Sequence, residues 1–218
     1  MTNRIPFYPD RYYHLCNRGV DKRSIFNDDQ DRHRFLATLL AANGDEPFNL
    51  RDWSDKTFEE ISELRGAHLV DLCAYCLMPN HFHLLIRERN PAGASKFLQK
   101  LGISFTGYFN RRNDRSGVLF QGQTQSVAIK DEAHLRTAIQ YINENPAKML
   151  SGGTPIEEIQ NLDELLASYE FSSYRDYARP ENLRPERLVL SLDVLPLGFG
   201  QIIRESPEIG SREGVRVD

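Results

Sequence analysis

The chain has few cysteines and no long apolar run. Three cysteines among 218 residues are an odd number, so they do not suggest a disulfide framework. No segment is apolar over the length needed to cross a bilayer, and the N-terminal sequence MTNRIP does not resemble a signal peptide. With 40% hydrophobic and 27% charged residues, the composition is that of a globular domain with its own core, and we expect a cytoplasmic protein.

An overall excess of basic residues is also lacking. The net charge is −4, and the acidic excess lies in residues 151–218, which hold 7 Lys and Arg against 13 Asp and Glu. Residues 87–115 instead hold 7 basic and 2 acidic residues. Because phosphate binding depends on local charge, this segment predicts a basic surface. The alternative is a helix face whose charges are simply solvated.

Hydrophobic periodicity and turn residues predict four strands and three long helices. They alternate as β-α-β-β-α-β-α, with an insertion after the first helix. This order is typical of an α+β fold, namely a ferredoxin-like antiparallel β-sheet with helices packed on one face. The predicted strands are 12–20, 68–78, 81–87 and 126–129, and the predicted helices are 29–42, 94–110 and 131–145.

Composition divides the chain into three parts. Residues 1–150 form the predicted core, in which the acidic segment 43–65 is an insertion that becomes helical near its end. Residues 151–179 are helical and aromatic, and we expect them to pack on the core. Residues 180–218 are acidic, contain four prolines and lack a sustained period, which predicts an extended tail.

The most informative segment is 78–86, with the sequence MPNHFHLLI. On a strand, side chains alternate between faces, so His81 and His83 lie on one face and the apolar residues between and after them lie on the other. Two neighbouring imidazoles make half of a metal site. The alternative is a pair of polar residues on the wet face of a half-buried strand. His14, on the first strand, either borders such a site or packs beside it.

The last predicted helix carries Tyr141 and, four residues later, Asn145. Positions i and i+4 share a helical face, so a phenol and a carboxamide would project together. A tyrosine can act as a covalent nucleophile, and a divalent cation can polarise the phosphoryl group that it attacks. Two imidazoles and one amide oxygen suit Mn²⁺ or Mg²⁺. The alternatives are a core aromatic for Tyr141 and a helix-ending residue for Asn145, which precedes Pro146.

The run MPNHFHLLI, together with YINENP at 141–146, resembles the single-tyrosine transposases of the IS200/IS605 type, and in particular their REP-associated branch. The resemblance implies a ferredoxin-like fold and a catalytic divalent metal, Mg²⁺ or Mn²⁺, bound by His81, His83 and Asn145. It also implies that Tyr141 attacks a DNA phosphate and forms a 5′-phosphotyrosine link. The implied substrate is single-stranded or hairpin DNA, and a homodimer is a possible assembly.

Two groups of basic residues are candidates for DNA contact. Guanidinium and ammonium groups bind phosphates, although plain surface charge is the alternative for each of them. One group follows the first strand and the other ends the second long helix: Arg18, Lys22, Arg23, Arg111, Arg112 and Arg115.

Cys73 and Cys76 precede the two histidines and could form a zinc site with them. On a regular strand, residues three apart face opposite sides, so both thiols could not reach one ion. We therefore predict buried structural cysteines. Two other functions stay open from the sequence: a non-catalytic module that binds hairpin DNA, and a small Cys/His zinc protein unrelated to DNA.

Overall fold

A computed structural model describes residues 6–49, 52–53 and 55–196 of the chain. Its framework is one antiparallel sheet of four strands: β1 (Tyr12–Arg18), β2 (Val70–Met78), β3 (His81–Glu88) and β4 (Gln125–Ala128). The spatial order is β2-β3-β1-β4, so the two strands that carry histidines lie side by side in the centre. This order and the element sequence confirm the predicted α+β, ferredoxin-like sheet.

Seven α-helices and four short 3-10 turns surround the sheet in the described part of the chain. The helix boundaries lie within a few residues of those that the sequence predicts. The helices are α1 (Asp29–Ala42), α2 (Phe58–Leu64), α3 (Gly93–Arg112), α4 (Glu132–Glu144), α5 (Ala147–Leu150), α6 (Leu162–Ala167) and α7 (Tyr174–Ala178). The 3-10 turns are Val20–Lys22, Ile156–Glu158, Pro185–Val189 and Leu192–Val194. No helix among these described residues is long and apolar enough to span a membrane.

The long helices begin at side chains that accept hydrogen bonds from their first turns. Asp28 caps α1 and Asp131 caps α4, each through its carboxylate. Helix α3 begins differently, because the Glu88 carboxylate at the end of β3 accepts a hydrogen bond of 2.7 Å from the Ala94 amide. Only glycine fits at Gly93, since a Cβ there would lie 2.3 Å from the Leu69 carbonyl oxygen. Strand β3 therefore fixes where α3 starts.

Apolar side chains form one cluster on each face of the sheet. Phe82, Leu84 and Ile86 belong to the cluster that includes α1 and α3, whereas Leu85 belongs to the cluster that includes α4, α6 and α7. The prediction that helices pack on one face is therefore wrong, and they cover both. The reason is that β3 is apolar on both faces beyond the histidines, so its second face also needs cover.

The edge of the sheet at β2 is covered by the C-terminal part of the chain. The Leu77 amide donates to the Phe171 carbonyl and the Ser173 amide to the Tyr75 carbonyl, both at 2.9 Å. Further along, the Ser191 amide donates to the Leu72 carbonyl at 2.8 Å. The expected extended tail thus contains two 3-10 turns as far as residue 196, and its remainder, 197–218, lies outside the described residues.

The segment predicted as an insertion contributes to the core through α2. The Thr57 side chain and Glu60 form a reciprocal capping box at its start, and Ile61 is buried in the cluster that includes α1. The Val70 amide at the start of β2 donates 2.9 Å to the Asn43 side-chain oxygen. The division of the chain at residues 150 and 179 stays a prediction.

Candidate functional site

The structure brings His81 and His83 together with Tyr141. The imidazole centroids lie 4.9 Å apart, and the His83 centroid lies 5.4 Å from that of the Tyr141 ring. The histidines come from β3 and the tyrosine from α4, which packs on the same face of the sheet. Residues about sixty positions apart in the sequence thus meet because α4 covers the face to which both imidazoles point.

His14 on β1 is a further member of this group. Its Nε2 lies 2.9 Å from Nδ1 of His83, and its ring centroid lies 5.7 Å from that of Tyr141. His14 is fully buried and His83 is 1% exposed, so water cannot replace this hydrogen bond. If His83 donates from Nδ1, His14 accepts, and the Nε2 lone pair of His83 is left for another ligand.

The imidazoles of β3 are held in the neutral form. Burial lowers the pKa of His81 to about 4, helped by the positive charge of Arg18 and opposed by a hydrogen bond with the Asn145 side chain. Burial, followed by the charges of His14, His81 and Arg18, lowers the pKa of His83 well below its usual value. Neutral imidazoles are the form that binds metal ions.

These side chains fit a divalent cation on the chemistry of their donors. The Nδ1 atom of His81 lies 2.7 Å from the Asn80 side-chain oxygen, which leaves its other ring nitrogen for a ligand. Asn145 adds an amide oxygen within hydrogen-bonding reach of His81. In the described residues no three His, Cys, Asp or Glu side chains form a metal-binding group. A divalent cation held by the two imidazoles would therefore need the amide oxygen as its third donor.

Comparisons with known proteins bear directly on this arrangement. The family model described as "Transposase IS200 like" matches residues 8–145, which is more than half of the chain and includes all of these side chains. The chain belongs to the IS200-like transposase family. No curated protein matches it.

One solved structure supports the fold. It is described as a REP-associated tyrosine transposase bound to a REP hairpin, and it is 15% identical to this chain. The match covers 85% of this chain and 90% of the chain in that structure, with a TM-score of 0.51. At this identity the likeness shows the fold alone, and it agrees with the four-stranded antiparallel sheet described above.

The basic residues at the end of β1 and in the turn that follows it lie at the histidine end of the sheet. Arg18 pairs in register with His81 across the β1–β3 ladder, and its charge lowers the pKa of both histidines. Lys22 and Arg23 are exposed in the following turn, where the Lys22 carbonyl accepts a 3.3 Å hydrogen bond from the Asn80 side chain. This predicted group therefore borders the site.

The second predicted group is not brought to the histidines. It lies at the C-terminal end of α3, which packs in the cluster on the opposite face of the sheet. Arg112 pairs with Asp28 at 2.6 Å and also with the buried Asp31, and Arg115 donates 3.0 Å to the Val118 carbonyl. Arg112 therefore joins the end of α3 to the start of α1, and Arg115 holds the loop after α3, whereas Arg111 is exposed.

The cysteines of β2 do not alternate as a regular strand predicts. The register of β2 against β3 shifts between Leu72 and Ala74, which is a β-bulge, and Cys73 and Cys76 consequently lie in the same cluster. Burial raises the pKa of both thiols far above the usual value, so both are protonated. A thiolate zinc site is not formed by them in the described structure.

Proposed function

We propose that the protein is a metal-dependent single-stranded DNA transesterase that cleaves and rejoins DNA through a 5′-phosphotyrosine intermediate. The single observation that supports it most is the contact of the Tyr141 ring with His83, whose imidazole in turn lies against that of His81. A metal-assisted attack on phosphorus requires a nucleophile, here a phenol, close to ligands for the metal, here neutral imidazole nitrogens.

In this proposal, Tyr141 is the nucleophile and His81, His83 and Asn145 hold Mg²⁺ or Mn²⁺. The cation, when bound, neutralises charge on a phosphate oxygen and orients the leaving group. The Tyr141 oxygen gives its proton to solvent and forms a bond to phosphorus. The bond from phosphorus to the 3′-oxygen breaks, and that oxygen takes up a proton from water. One DNA fragment then carries a free 3′-OH, and the other is joined to the protein through its 5′-phosphate.

Rejoining is the reverse exchange. A DNA 3′-OH attacks the phosphotyrosine, the new phosphodiester forms, and the Tyr141 phenol is regenerated. One phosphodiester-type bond replaces another in each step, so no nucleoside triphosphate is consumed. Arg18, Lys22 and Arg23 are proposed to bind the phosphates of the strand, because they border the histidine end of the sheet.

The proposed substrate is single-stranded or hairpin DNA. The neighbour of similar fold is described as bound to a REP hairpin, and this chain shares its four-stranded sheet. Hairpin DNA offers a stem for shape recognition and an adjoining single strand for cleavage. Arg111, which is exposed on the opposite face, is a candidate to bind phosphates of the stem. Arg112 and Arg115 already contact Asp28 and the Val118 carbonyl, and they would bind phosphate in addition to these contacts.

The test is formation of a covalent adduct. The full chain is incubated with Mn²⁺ and a single-stranded or hairpin oligonucleotide labelled at its 3′ end, and the products are separated under denaturing conditions. We expect the 3′ label to stay with the protein and a 5′ label to be released. Tyr141→Phe should abolish the band, whereas Tyr12→Phe, a partly buried tyrosine packed against the same cluster, should retain it.

Two results would overturn this function. An adduct that persists in Tyr141→Phe would place the nucleophile elsewhere. Tight binding of hairpin DNA with no adduct under any divalent cation would instead favour a module that binds DNA without cutting it.

A further inference from the structure

A groove of about 730 Å³ lies between α2 and the two C-terminal 3-10 turns, and none of the candidate active-site residues is among its described lining. Much of this lining is aliphatic and comes from the C-terminal segment: Leu183, Pro185, Leu188, Leu190 and Leu192. Leu183 is 79% exposed and Leu188 is 38% exposed, so water reaches both. Large aliphatic side chains that stay exposed in one groove are typical of a surface that binds another molecule.

A buried positive charge lies in the wall of this groove. Arg65, which follows the last residue of α2, is only 6% exposed. Its guanidinium donates long hydrogen bonds to Ser62, at 3.4 Å to the carbonyl and at 3.5 Å to the hydroxyl, and it contacts Nε2 of His68. Burial, followed by the charge of Arg89, lowers the pKa of Arg65 to about 10, so the group stays charged at neutral pH. Within the part of the chain that the structure describes, no carboxylate pairs with it.

Neighbouring side chains do not neutralise this charge. A guanidinium has no acceptor, so His68 must accept at Nε2 and is neutral. The pKa of His68 is lowered by burial and by the charges of Arg65 and Arg89. The two acidic residues of the lining, Glu59 and Asp193, are exposed. A buried guanidinium without a counter-ion is costly, and a carboxylate that reached it could form a pair of charge-assisted hydrogen bonds.

We propose that this groove binds an extended segment of a partner protein in which one Asp or Glu side chain lies among aliphatic residues, with its carboxylate on Arg65. The aliphatic lining receives the flanking side chains, and the exposed carboxylates of Glu59 and Asp193 accept hydrogen bonds from the backbone amides of the segment. Nucleic acid fits this lining poorly, because those two carboxylates repel phosphates and the leucines would stay uncovered. A free fatty acid would use Arg65 and the leucines but would offer no donor to Glu59 or Asp193. The partner is therefore a polypeptide, and its site is separate from the proposed DNA chemistry.

Three substitutions separate the charge from the aliphatic contacts. Arg65→Met removes the charge and keeps an unbranched apolar side chain. Because the charge has no ion-pair partner, the Tm of this variant should equal or exceed that of wild type, whereas loss of a structural guanidinium would lower it. Leu183→Ser and Leu188→Ser remove exposed aliphatic surface without opening the core. Leu64→Ser is the matched control, because Leu64 is a leucine of α2 that is 44% exposed and does not line the groove.

The experiment pans a library of random heptapeptides displayed on phage, in parallel on the immobilised full chain and on Arg65→Met. We expect the wild-type chain to enrich sequences with one Asp or Glu next to Leu, Ile or Val, and Arg65→Met to enrich none of them. The most enriched peptide is then synthesised with a fluorescein label and titrated by fluorescence anisotropy. Replacing its acidic residue by the amide, or Arg65 by Met, should raise the Kd by roughly 10- to 100-fold, and both changes together should raise it no further. Leu183→Ser and Leu188→Ser should each raise it by roughly tenfold, and Leu64→Ser should leave it unchanged.

Failure of the wild-type chain to enrich any peptide would overturn the proposal, as would a consensus without an acidic residue. Equal affinity of wild type and a folded Arg65→Met for the labelled peptide would refute the role of the guanidinium. If Arg65→Met does not fold, the leucine variants decide, and undiminished affinity in both of them refutes the site. Self-association of the wild-type chain in sedimentation that Leu183→Ser abolishes would assign the groove to a second copy of this chain instead. Displacement of the labelled peptide by an equal concentration of octanoate would assign it to a free aliphatic acid.

Discussion

His14 offers the sharpest test of how the site is organised. Its imidazole lies within hydrogen-bonding distance of Nδ1 of His83, and both rings are buried. His14→Phe keeps an aromatic ring of similar volume but removes the acceptor. The His83 nitrogen is then buried without a partner, and the tautomer that presents its Nε2 lone pair is no longer favoured.

The substitution has two expected effects, one on the stability of the fold and one on the affinity for metal. A buried polar group left without its partner costs about 1–3 kcal/mol. Loss of a hydrogen bond that orients a metal ligand lowers metal affinity by about 10- to 100-fold, which corresponds to about 1.4–2.7 kcal/mol. We therefore expect the free energy of unfolding of the metal-free protein to fall by about 1–3 kcal/mol, and the Kd for Mn²⁺ to rise ~10- to 100-fold.

The assay is titration of the metal-free protein with Mn²⁺, followed by calorimetry and by the electron paramagnetic resonance signal of the free ion. His14→Gln supplies a new acceptor and should recover part of the affinity. His33→Phe, on α1 and beside the opposite face, is the matched control and should bind like wild type. Thermal unfolding in EDTA establishes that each variant is folded. A folded His14→Phe variant with unchanged Mn²⁺ affinity would refute the reasoning and leave His14 as a packing residue.

Three further predictions concern stability. Gly93→Ala places a Cβ 2.3 Å from a backbone carbonyl oxygen, so it should lower the free energy of unfolding by about 1–3 kcal/mol. The assay is unfolding in urea, and a wild-type midpoint would contradict the close packing described for α3. Arg112 lowers the pKa of Asp28 to about 2, so the ion pair stabilises the fold above pH 4 and is lost as the pH falls through 2. Asp28→Asn, which keeps the helix cap, should therefore differ from wild type in urea midpoint at pH 7 and much less at pH 2. A difference independent of pH would rule the pair out. Asp176→Ala leaves the Arg184 guanidinium without its buried partner and should cost about 3–5 kcal/mol in the same assay, whereas a cost below 1 kcal/mol would show that the pair is effectively solvated.

Local signals in the sequence predicted those parts of the fold that local interactions determine. Helix α1 has the predicted boundaries, 29–42, because an Asp cap and a regular apolar period both lie within that segment. The motif MPNHFHLLI predicted β3 and the shared side of its histidines, since alternation along a strand is a local property. The family resemblance supplied the pairing with Tyr141, which no local pattern contains.

Features that depend on contacts between distant segments were missed. His14 reaches His83 across the ladder between two strands, and nothing in the first strand distinguishes it from a packed histidine. The bulge that turns Cys73 and Cys76 to one side has no marker in the sequence, because neither glycine nor proline lies there. The cover on the second face was missed because the packing of α4, α6 and α7 on the sheet depends on contacts between segments that are far apart in the sequence.

The two edges of the sheet differ in whether they can pair with a further strand. Backbone groups of residues 171, 173 and 191 already occupy the border at β2, whereas β4, with four residues, forms the other border. A border strand is a template for a further polypeptide strand. In the described part of the chain, a further strand could therefore be added to the sheet only beyond β4. A strand added there would be separated from β3 by β4 and β1. It would form no backbone hydrogen bonds with β1 or β3, the two strands that carry the histidines.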